Sequence, residues 1–354
     1  MRHRWIFFYF SALVLHGFNT NLQNRMTKHF WRRLRFWNAS LSDCTTVRNI
    51  ILTKPLKSIA PDDFRKHVNN IQACPWQYNR TEDNALKQEF KKCCNTSHML
   101  LVSQDNTPLG HNLRYEVSQN KAVKVTESIH RMLPESSPFK GKQFKTCAVV
   151  GNGGILRNSL CGREIDNTDF VFRLNLAPLN SPEDVGTNCD LVTANPSILV
   201  SRFERLIERR KPFVDLVRSF GSAMIVMPAF SYVRNKDISF RVLHAMEDFS
   251  LKNKVVFFHP DYLRNLYKHW RKKGLQAKRL SSGMMLVSAA IELCHSVTLY
   301  GFWPFSLDLD GNLLTHHYYD DKHPSPGFHA MPEEFYFYTK MHLKGALYLH
   351  IGKC

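Results

Sequence analysis

The stretch that most constrains this chain is residues 146–177, where an apolar run, a glycine turn and a second apolar run follow closely. Cys147 to Val150 reads as a buried strand. It breaks at Gly151-Asn152-Gly153-Gly154 and turns polar around Arg157 to Ser159. A second run, Phe170 to Phe172, ends in Arg173 and Asn175. Strand, glycine turn, helix, strand is how an open α/β sheet sets backbone N–H groups against a phosphate-bearing ligand. The dinucleotide fingerprint asks for Gly-x-Gly-x-x-Gly. Gly151 and Gly153 fit it, but Leu156 stands in the third glycine place, which disfavours a nicotinamide enzyme.

Downstream, short apolar runs alternate with helical stretches. Strands are expected at 147–150, 169–173, 190–194, 223–228, 254–258, 296–301 and 346–350. Helices are expected at 198–210, 239–248, 260–273, 282–294 and 332–344. The alternation predicts an α/β fold with a mostly parallel central sheet of about seven strands flanked by helices. Ligands of such sheets bind at the carboxyl ends of the strands.

Three more clusters fall at or beyond those ends. Asn195-Pro196-Ser197 closes the strand at 190–194; Pro196 ends it, and Ser197 is suited to cap the next helix. Arg279-Leu280-Ser281-Ser282-Gly283 precedes an apolar helix. Two serines at a helix start make either an ordinary N-cap or an anion site. The tail carries His316-His317-Tyr318-Tyr319-Asp320-Asp321 and then Gly327-Phe328-His329-Ala330-Met331-Pro332-Glu333-Glu334. An imidazole is the natural general base for a sugar hydroxyl. Glu334 lies on a helix that Pro332 is placed to start. No His-Glu-x-x-His occurs. Asp308-Leu309-Asp310-Gly311 matches the Asp-x-Asp pattern with which many glycosyltransferases hold a metal, but Asp-Gly in a polar stretch reads as a solvated turn.

Charge and cysteines narrow the setting. Lys and Arg number 48 against 30 Asp and Glu, which favours an anionic partner. Neither zinc-finger spacing nor a basic zipper is present, so nucleic acid is set aside. Nine cysteines occur without a Cys-x-x-Cys pair. An odd count leaves at least one thiol free or paired between chains, so a homodimer through a stem cysteine stays open. Sequons stand at Asn38, Asn79 and Asn95, ahead of the α/β body. With the cysteines they favour a secretory compartment.

The chain starts with Arg2-His3-Arg4 and an apolar run from Trp5 to Phe18, with no small-x-small cleavage pattern after it. About 14 apolar residues make roughly 21 Å of helix, short for a ~30 Å hydrocarbon core, so thin secretory-pathway membranes suit it. The organisation expected is a cytosolic tail (1–4), a signal anchor (5–20), a stem (21–65) and a luminal domain (66–354). That domain divides into an N-terminal lobe (66–145) and the α/β body (146–354). In the lobe, Cys74-Pro75-Trp76 and Cys93-Cys94 are expected to pin a small helical unit against the body, Leu86 to Phe90 to be helical, and Thr107-Pro108-Leu109-Gly110 to turn.

Taken together, these clusters resemble the animal sialyltransferases. The long motif matches Cys147 to Ser197 and the short one Arg279 to Phe302. The third is His316 to Asp320, and the last is His329 with Glu334, closing on Cys354. Gly-Asn-Gly-Gly-Ile-Leu, Gly-Phe-Trp-Pro-Phe and His-Ala-Met-Pro-Glu-Glu-Phe are similar to the α-2,8 branch. They are closer to members adding one or a few sialic acids than to polysialic acid synthases. The resemblance implies a metal-independent, inverting transferase of GT-A-like variant Rossmann fold in the Golgi membrane, type II in orientation. Its donor would be CMP-sialic acid and its acceptor a sialylated glycolipid or glycoprotein glycan.

By the same resemblance, Asn152 and Asn175 would bind nucleotide and donor. Asn195, Pro196 and Ser197 would line the pocket, and Ser281, Ser282 and Gly283 would hold the donor phosphate or carboxylate. His317 would stabilise the leaving phosphate and His329 would be the base. A monophosphate leaving group needs no metal clamp when dipoles and imidazole carry its charge. The resemblance also pairs Cys147 with Cys294 and Cys161 with Cys354, each bridge worth about 4–5 kcal/mol in the chain-entropy model. Two departures stand out: Leu174 occupies a place where relatives often have cysteine, and Ser282 one where threonine is usual. The alternative from another class is a non-catalytic, membrane-anchored glycan- or CMP-binding relative.

Overall fold

A computed structural model describes residues 41–322 and 329–354. The expected anchor at 5–20, the sequon at Asn38 and the basic stretch Arg25–Arg35 lie outside the described residues. Among the described residues no helix is long and apolar enough to cross a membrane. The chain divides into two compact units, one ending at Pro75 and one spanning Trp76–Cys354.

In the first unit, part of the stretch read as stem is helical. Helices Leu41–Thr53 and Pro61–Gln72 present Val47, Ile51, Phe64, Val68 and Ile71 as buried residues. Pro61 opens the second helix, and Asp62 and Asp63 in its first turn complement the positive end of the dipole. Cys44 is bonded to Cys74 within this unit.

The second unit holds a hairpin, β1 (Asn112–Arg114) with β2 (Ala122–Lys124), and a seven-stranded sheet. The sheet comprises β3 (Phe144–Val150), β4 (Phe170–Arg173), β5 (Leu191–Thr193), β6 (Met224–Met227), β7 (Val255–Phe257), β8 (Cys294–Tyr300) and β9 (Tyr348–Leu349), in the order β7-β6-β5-β4-β3-β8-β9. Every pairing is parallel. All seven expected strands form, because strands covered on both faces must be short continuous apolar runs. Strand order reverses between β3 and β8, so the crevice at their carboxyl ends is the topological switch point.

The helices agree less evenly. Helices Asn235–Asp248, Pro260–Lys272, Ser282–Leu293 and Met331–Leu343 stand where expected. The expected helix at 198–210 does not. It runs Pro196–Phe203 and is broken by Glu204, Arg205 and Leu206, whose φ angles are 48°, 58° and 59°. A separate helix, Arg210–Arg218, follows despite Pro212, which sits in its first turn and sacrifices no bond there. The helix expected after the glycine turn shrinks to a 3-10 turn at Gly154–Leu156 and five residues at Gly162–Asp166. Leu86–Phe90 lies in a longer helix, Arg80–Cys93, and Pro108–His111 turns as expected.

Cysteine pairing corrects one reading and supplies others. Cys147–Cys294 and Cys161–Cys354 are bonded. Cys93 and Cys94 are bonded to each other, so they pin no lobe against the body, and Cys74 bonds Cys44. Cys189 is the free cysteine, its thiol pushed up to about 12 by burial. Of the sequons, Asn79 is exposed and caps its helix by accepting from the N–H groups of Thr81 and Glu82. Asn95 is half-buried, with φ 51°.

Candidate active site

The glycines at the switch point are consumed by backbone packing. Gly151 N–H donates to Tyr300 O at 2.7 Å and Gly153 N–H to Gly301 O at 2.9 Å. A Cβ on Gly151 would sit 2.7 Å from Gly301 O and one on Gly153 2.6 Å from it. The turn is therefore glycine because β3 and β8 leave together and their loops touch.

Asn152, between those glycines, donates from Nδ2 to Leu174 O at 3.1 Å, bridging the ends of β3 and β4. Asn175 follows β4 in the left-handed region, at φ 52°, a conformation asparagine tolerates better than most residues. Its N–H donates to Thr193 Oγ1 at 2.9 Å, and its Oδ1 accepts from Asn195 N–H at 3.0 Å. Asn195 Oδ1 in turn accepts from Ser282 Oγ at 3.2 Å. The three asparagines and Ser282 thus tie the strand ends to the start of the Ser282–Leu293 helix. Pro196 is the first residue of its helix, so Ser197 lies within the first turn and is not the cap.

Ser281 is the cap of the Ser282–Leu293 helix, its Oγ accepting from Met284 N–H at 3.0 Å. Its N–H donates to Glu334 Oε1 at 2.8 Å, and its hydroxyl donates to Glu334 Oε2. Gly283 is buried beneath Phe302, whose ring would lie 2.9 Å from an added Cβ. Glu334 is fully buried, and burial raises its carboxyl to about 7 against the opposing hydrogen bonds.

The tail histidines reach the same region by different routes. His317 bridges Gly153 in antiparallel fashion, and Tyr318 N–H donates to Asn152 O at 3.0 Å. His317 Nδ1 is 2.7 Å from Asp320 Oδ2, and its ring stacks on Tyr319 with centroids 5.0 Å apart. His329 Nδ1 donates to Arg279 O at 3.1 Å, and burial holds its ring below the usual imidazole pKa. Arg279 is held by Glu116 at 3.1 Å and Ser231 at 2.9 Å.

A cleft of about 840 Å³ opens over this assembly. Asn195, Pro196, Ser197, Ser282 and His329 line it together, while Asn152, Asn175, Ser281, Gly283 and His317 lie outside its walls. Glu116 and Tyr232 lie in no cluster that the sequence singles out, and Arg279, which heads the Ser281-Ser282 cluster, has no role assigned there, since no local pattern links the three. In the Asp-x-Asp loop, Asp308 Oδ1 accepts from the N–H groups of Asp310 and Asn312 at 2.9 and 2.8 Å, closing a turn. Among the described residues, the group with metal-like spacing is Cys161, His350 and Cys354, and its two sulfurs are already bonded together.

A sequence profile of glycosyltransferase family 29 (sialyltransferase) matches residues 90–346. The chain is 44% identical to human "Alpha-2,8-sialyltransferase 8E" over 314 residues, covering 88% of this chain and 84% of that protein. It is 44% identical to mouse "Alpha-2,8-sialyltransferase 8F" over 305 residues, covering 86% and 77%. A solved mammalian sialyltransferase in complex with Gal-beta-1-3GalNAc-ortho-nitrophenol is 22% identical, with a TM-score of 0.48, covering 79% of this chain and 100% of that one. The matched span takes in the asparagine bridge, the serine-capped helix and both histidines, and the chain belongs to glycosyltransferase family 29, the sialyltransferases.

Proposed function

We propose that this chain transfers sialic acid from CMP-sialic acid to the 8-hydroxyl of a terminal sialic acid on a glycolipid or glycoprotein glycan, with inversion at the anomeric carbon. Sequence identity to relatives named as α-2,8-sialyltransferases over most of both chains supports the linkage. The observation that carries the mechanism is the His329–Arg279 hydrogen bond. With Nδ1–H donated to a carbonyl, the neutral ring keeps its lone pair on Nε2, in a residue that lines the cleft beside Asn195 and Ser282.

In this reading the acceptor O8–H proton passes to His329 Nε2 as the new C2–O8 bond forms and the C2–O bond to the CMP phosphate breaks. The transition state is oxocarbenium-like, so holding the acceptor in line contributes most. The leaving phosphate gains negative charge. His317, oriented through Asp320, and the positive end of the Ser282–Leu293 helix carry that charge. Asn152, Asn175, Asn195, Pro196, Ser197, Ser281, Ser282 and Gly283 belong to the donor side, by contact or by holding those that make it. The proposed setting is a Golgi membrane, with residues 5–20 as a type II anchor, 21–65 as stem, the catalytic body luminal and N-glycans on the sequons.

The test is incubation of the purified full-length chain with CMP-sialic acid and a monosialylated glycan, followed by linkage analysis. The expected product carries sialic acid on O8 of sialic acid, with one CMP released per transfer. Transfer to galactose alone, or no CMP release, would overturn the proposal.

A further inference from the structure

The tail segment that carries His317 has its main-chain carbonyls held from outside. Arg157 Nε donates to Tyr318 O at 3.3 Å, and Arg157 Nη2 donates to Asp320 O at 3.1 Å. Nη2 also lies 3.3 Å from Asp321 Oδ1. That last contact joins side chains 44% and 92% exposed, and an ion pair so solvated contributes little. The two carbonyl bonds differ in kind. A guanidinium is a planar fork of donors at fixed spacing, and here it spans the oxygens on either side of Tyr319.

Within the segment, Asp320 orients His317. Asp320 Oδ2 is 2.7 Å from His317 Nδ1, and Asp320 Oδ1 accepts from the N–H groups of His317 and Lys322, each at 3.3 Å. His316 N–H donates to Lys322 O at 2.7 Å and closes the loop. Asp320 is thus the residue whose carboxylate holds the imidazole and whose carbonyl Arg157 holds. A shift of that carbonyl carries the carboxylate with it.

The loop that bears Arg157 is itself built. Asn158 and Leu160 have left-handed φ, 61° and 60°, which non-glycine residues keep only where the surroundings enforce it. Here the enforcing group is the buried Asp184, whose carboxylate accepts from Asn158 N–H at 2.8 Å and from Leu160 N–H at 2.9 Å. Cys354 N–H donates to Ser159 O at 2.8 Å, and the Cys161–Cys354 bridge anchors the next residue. Arg157 therefore meets the tail from a fixed rim, not as a free surface side chain.

We infer that Arg157 is a positioning residue for departure of the leaving group: its grip on the Tyr318 and Asp320 carbonyls fixes the Asp320–His317 pair, and through it the imidazole that steadies the phosphate. In this role it touches neither donor nor acceptor. The role rests on the reading of His317 given above, and it adds a residue from the glycine-turn loop to the work of the tail.

The experiment is a double-variant cycle on the full-length chain, with kcat measured on CMP-sialic acid and a monosialylated glycan and CMP affinity measured by calorimetry. Arg157→Gln should lower kcat roughly tenfold to 10²-fold, the cost of a small misplacement, while CMP affinity stays within about twofold. Arg157→Lys, with one point charge for two carbonyls, should recover part of the loss. Asp321→Asn should leave kcat within about twofold of wild type, since its pair is solvated. Arg157→Gln combined with His317→Gln should lose no more than His317→Gln alone, because one variant acts through the other. A purely structural arginine would instead give losses that multiply. Multiplied losses, unchanged kcat in Arg157→Gln, or an equal loss in Asp321→Asn overturns the positioning role. If Arg157→Gln melts well below wild type, the same cycle run with Arg157→Lys decides by the same criterion. Full turnover by His317→Gln overturns the reading of His317, and the role of Arg157 with it, while α-2,8 transfer stands.

Discussion

Glu334, fully buried on the Met331–Leu343 helix, accepts from both the N–H and the hydroxyl of Ser281, the residue that caps the Ser282–Leu293 helix. The two partners are 53 residues apart in sequence. A carboxyl group therefore sets the start of the helix whose positive end faces the proposed donor, and through that helix it joins the His329 segment to the switch point.

That contact makes stability depend on pH. Glu334 titrates near 7 in the fold, above its ordinary value of 4.5, chiefly because burial disfavours the charged form. The folded state then binds more protons than the unfolded one between these values. The stabilisation is fully present below about 4.5 and is lost as pH rises through about 7. Glu334→Gln, which mimics the protonated group, should flatten this part of the melting-temperature profile. Glu334→Ala should cost about 1–3 kcal/mol by leaving buried donors unpaired. Thermal melts of the three proteins from pH 4.5 to 8 check both expectations.

His329→Ala should lower kcat by about 10²–10⁴-fold while CMP still binds, as measured by calorimetry. Burial lowers the ring's pKa in the fold, and in the proposed role it is the neutral imidazole that would take the acceptor proton. The acid limb of kcat/KM against pH should therefore have its midpoint below ~6.5, the ordinary imidazole value. A midpoint at or above it, or normal turnover by the variant, would remove His329 from the role of base.

The Cys161–Cys354 bridge closes a loop of sequence separation 193 and seats the chain terminus, where Cys354 N–H donates to Ser159 O at 2.8 Å. Replacing both cysteines by serine should destabilise the domain by about 5 kcal/mol in the chain-entropy model, read from denaturant unfolding under oxidising conditions. Activity at moderate temperature should fall in proportion to the unfolded fraction.

Asp308 spends its carboxylate on the N–H groups of its own turn and on Asn312 Nδ2 at 2.9 Å. Transfer should accordingly proceed unchanged in EDTA, and Asp308→Asn should alter stability more than turnover. Loss of activity on chelation, restored by a divalent cation, would return Asp308 and Asp310 to consideration as ligands.

Much of this arrangement was legible along the chain, and the limits have physical causes. The seven sheet strands announce themselves as short apolar runs, because a parallel strand is buried on both faces. The Ser281 cap and the Pro332 helix start are local backbone chemistry, readable from neighbouring residues. The helix expected through 198–210 failed because its period continues past Glu204 while the backbone turns left-handed there, held by Leu206 and Arg241. The glycine turn suggested a phosphate cradle, yet its glycines serve the approach of Gly301. Only the folded neighbour reveals that contact.

The sequence by itself determined the order of strands and helices, the residue types at the strand ends and, by resemblance, the family and the two long disulfides. These follow from periodicity, capping chemistry and ordered motifs, all of which are local or recur in relatives. The tertiary structure alone decided which groups meet: Glu334 with Ser281, Arg279 with Glu116, His329 with the Arg279 carbonyl, and Arg205, Arg234 and Arg241 around one cleft. Such contacts join residues tens to hundreds of positions apart. Their energy comes from burial and charge in three dimensions, which leave no periodic mark on the chain.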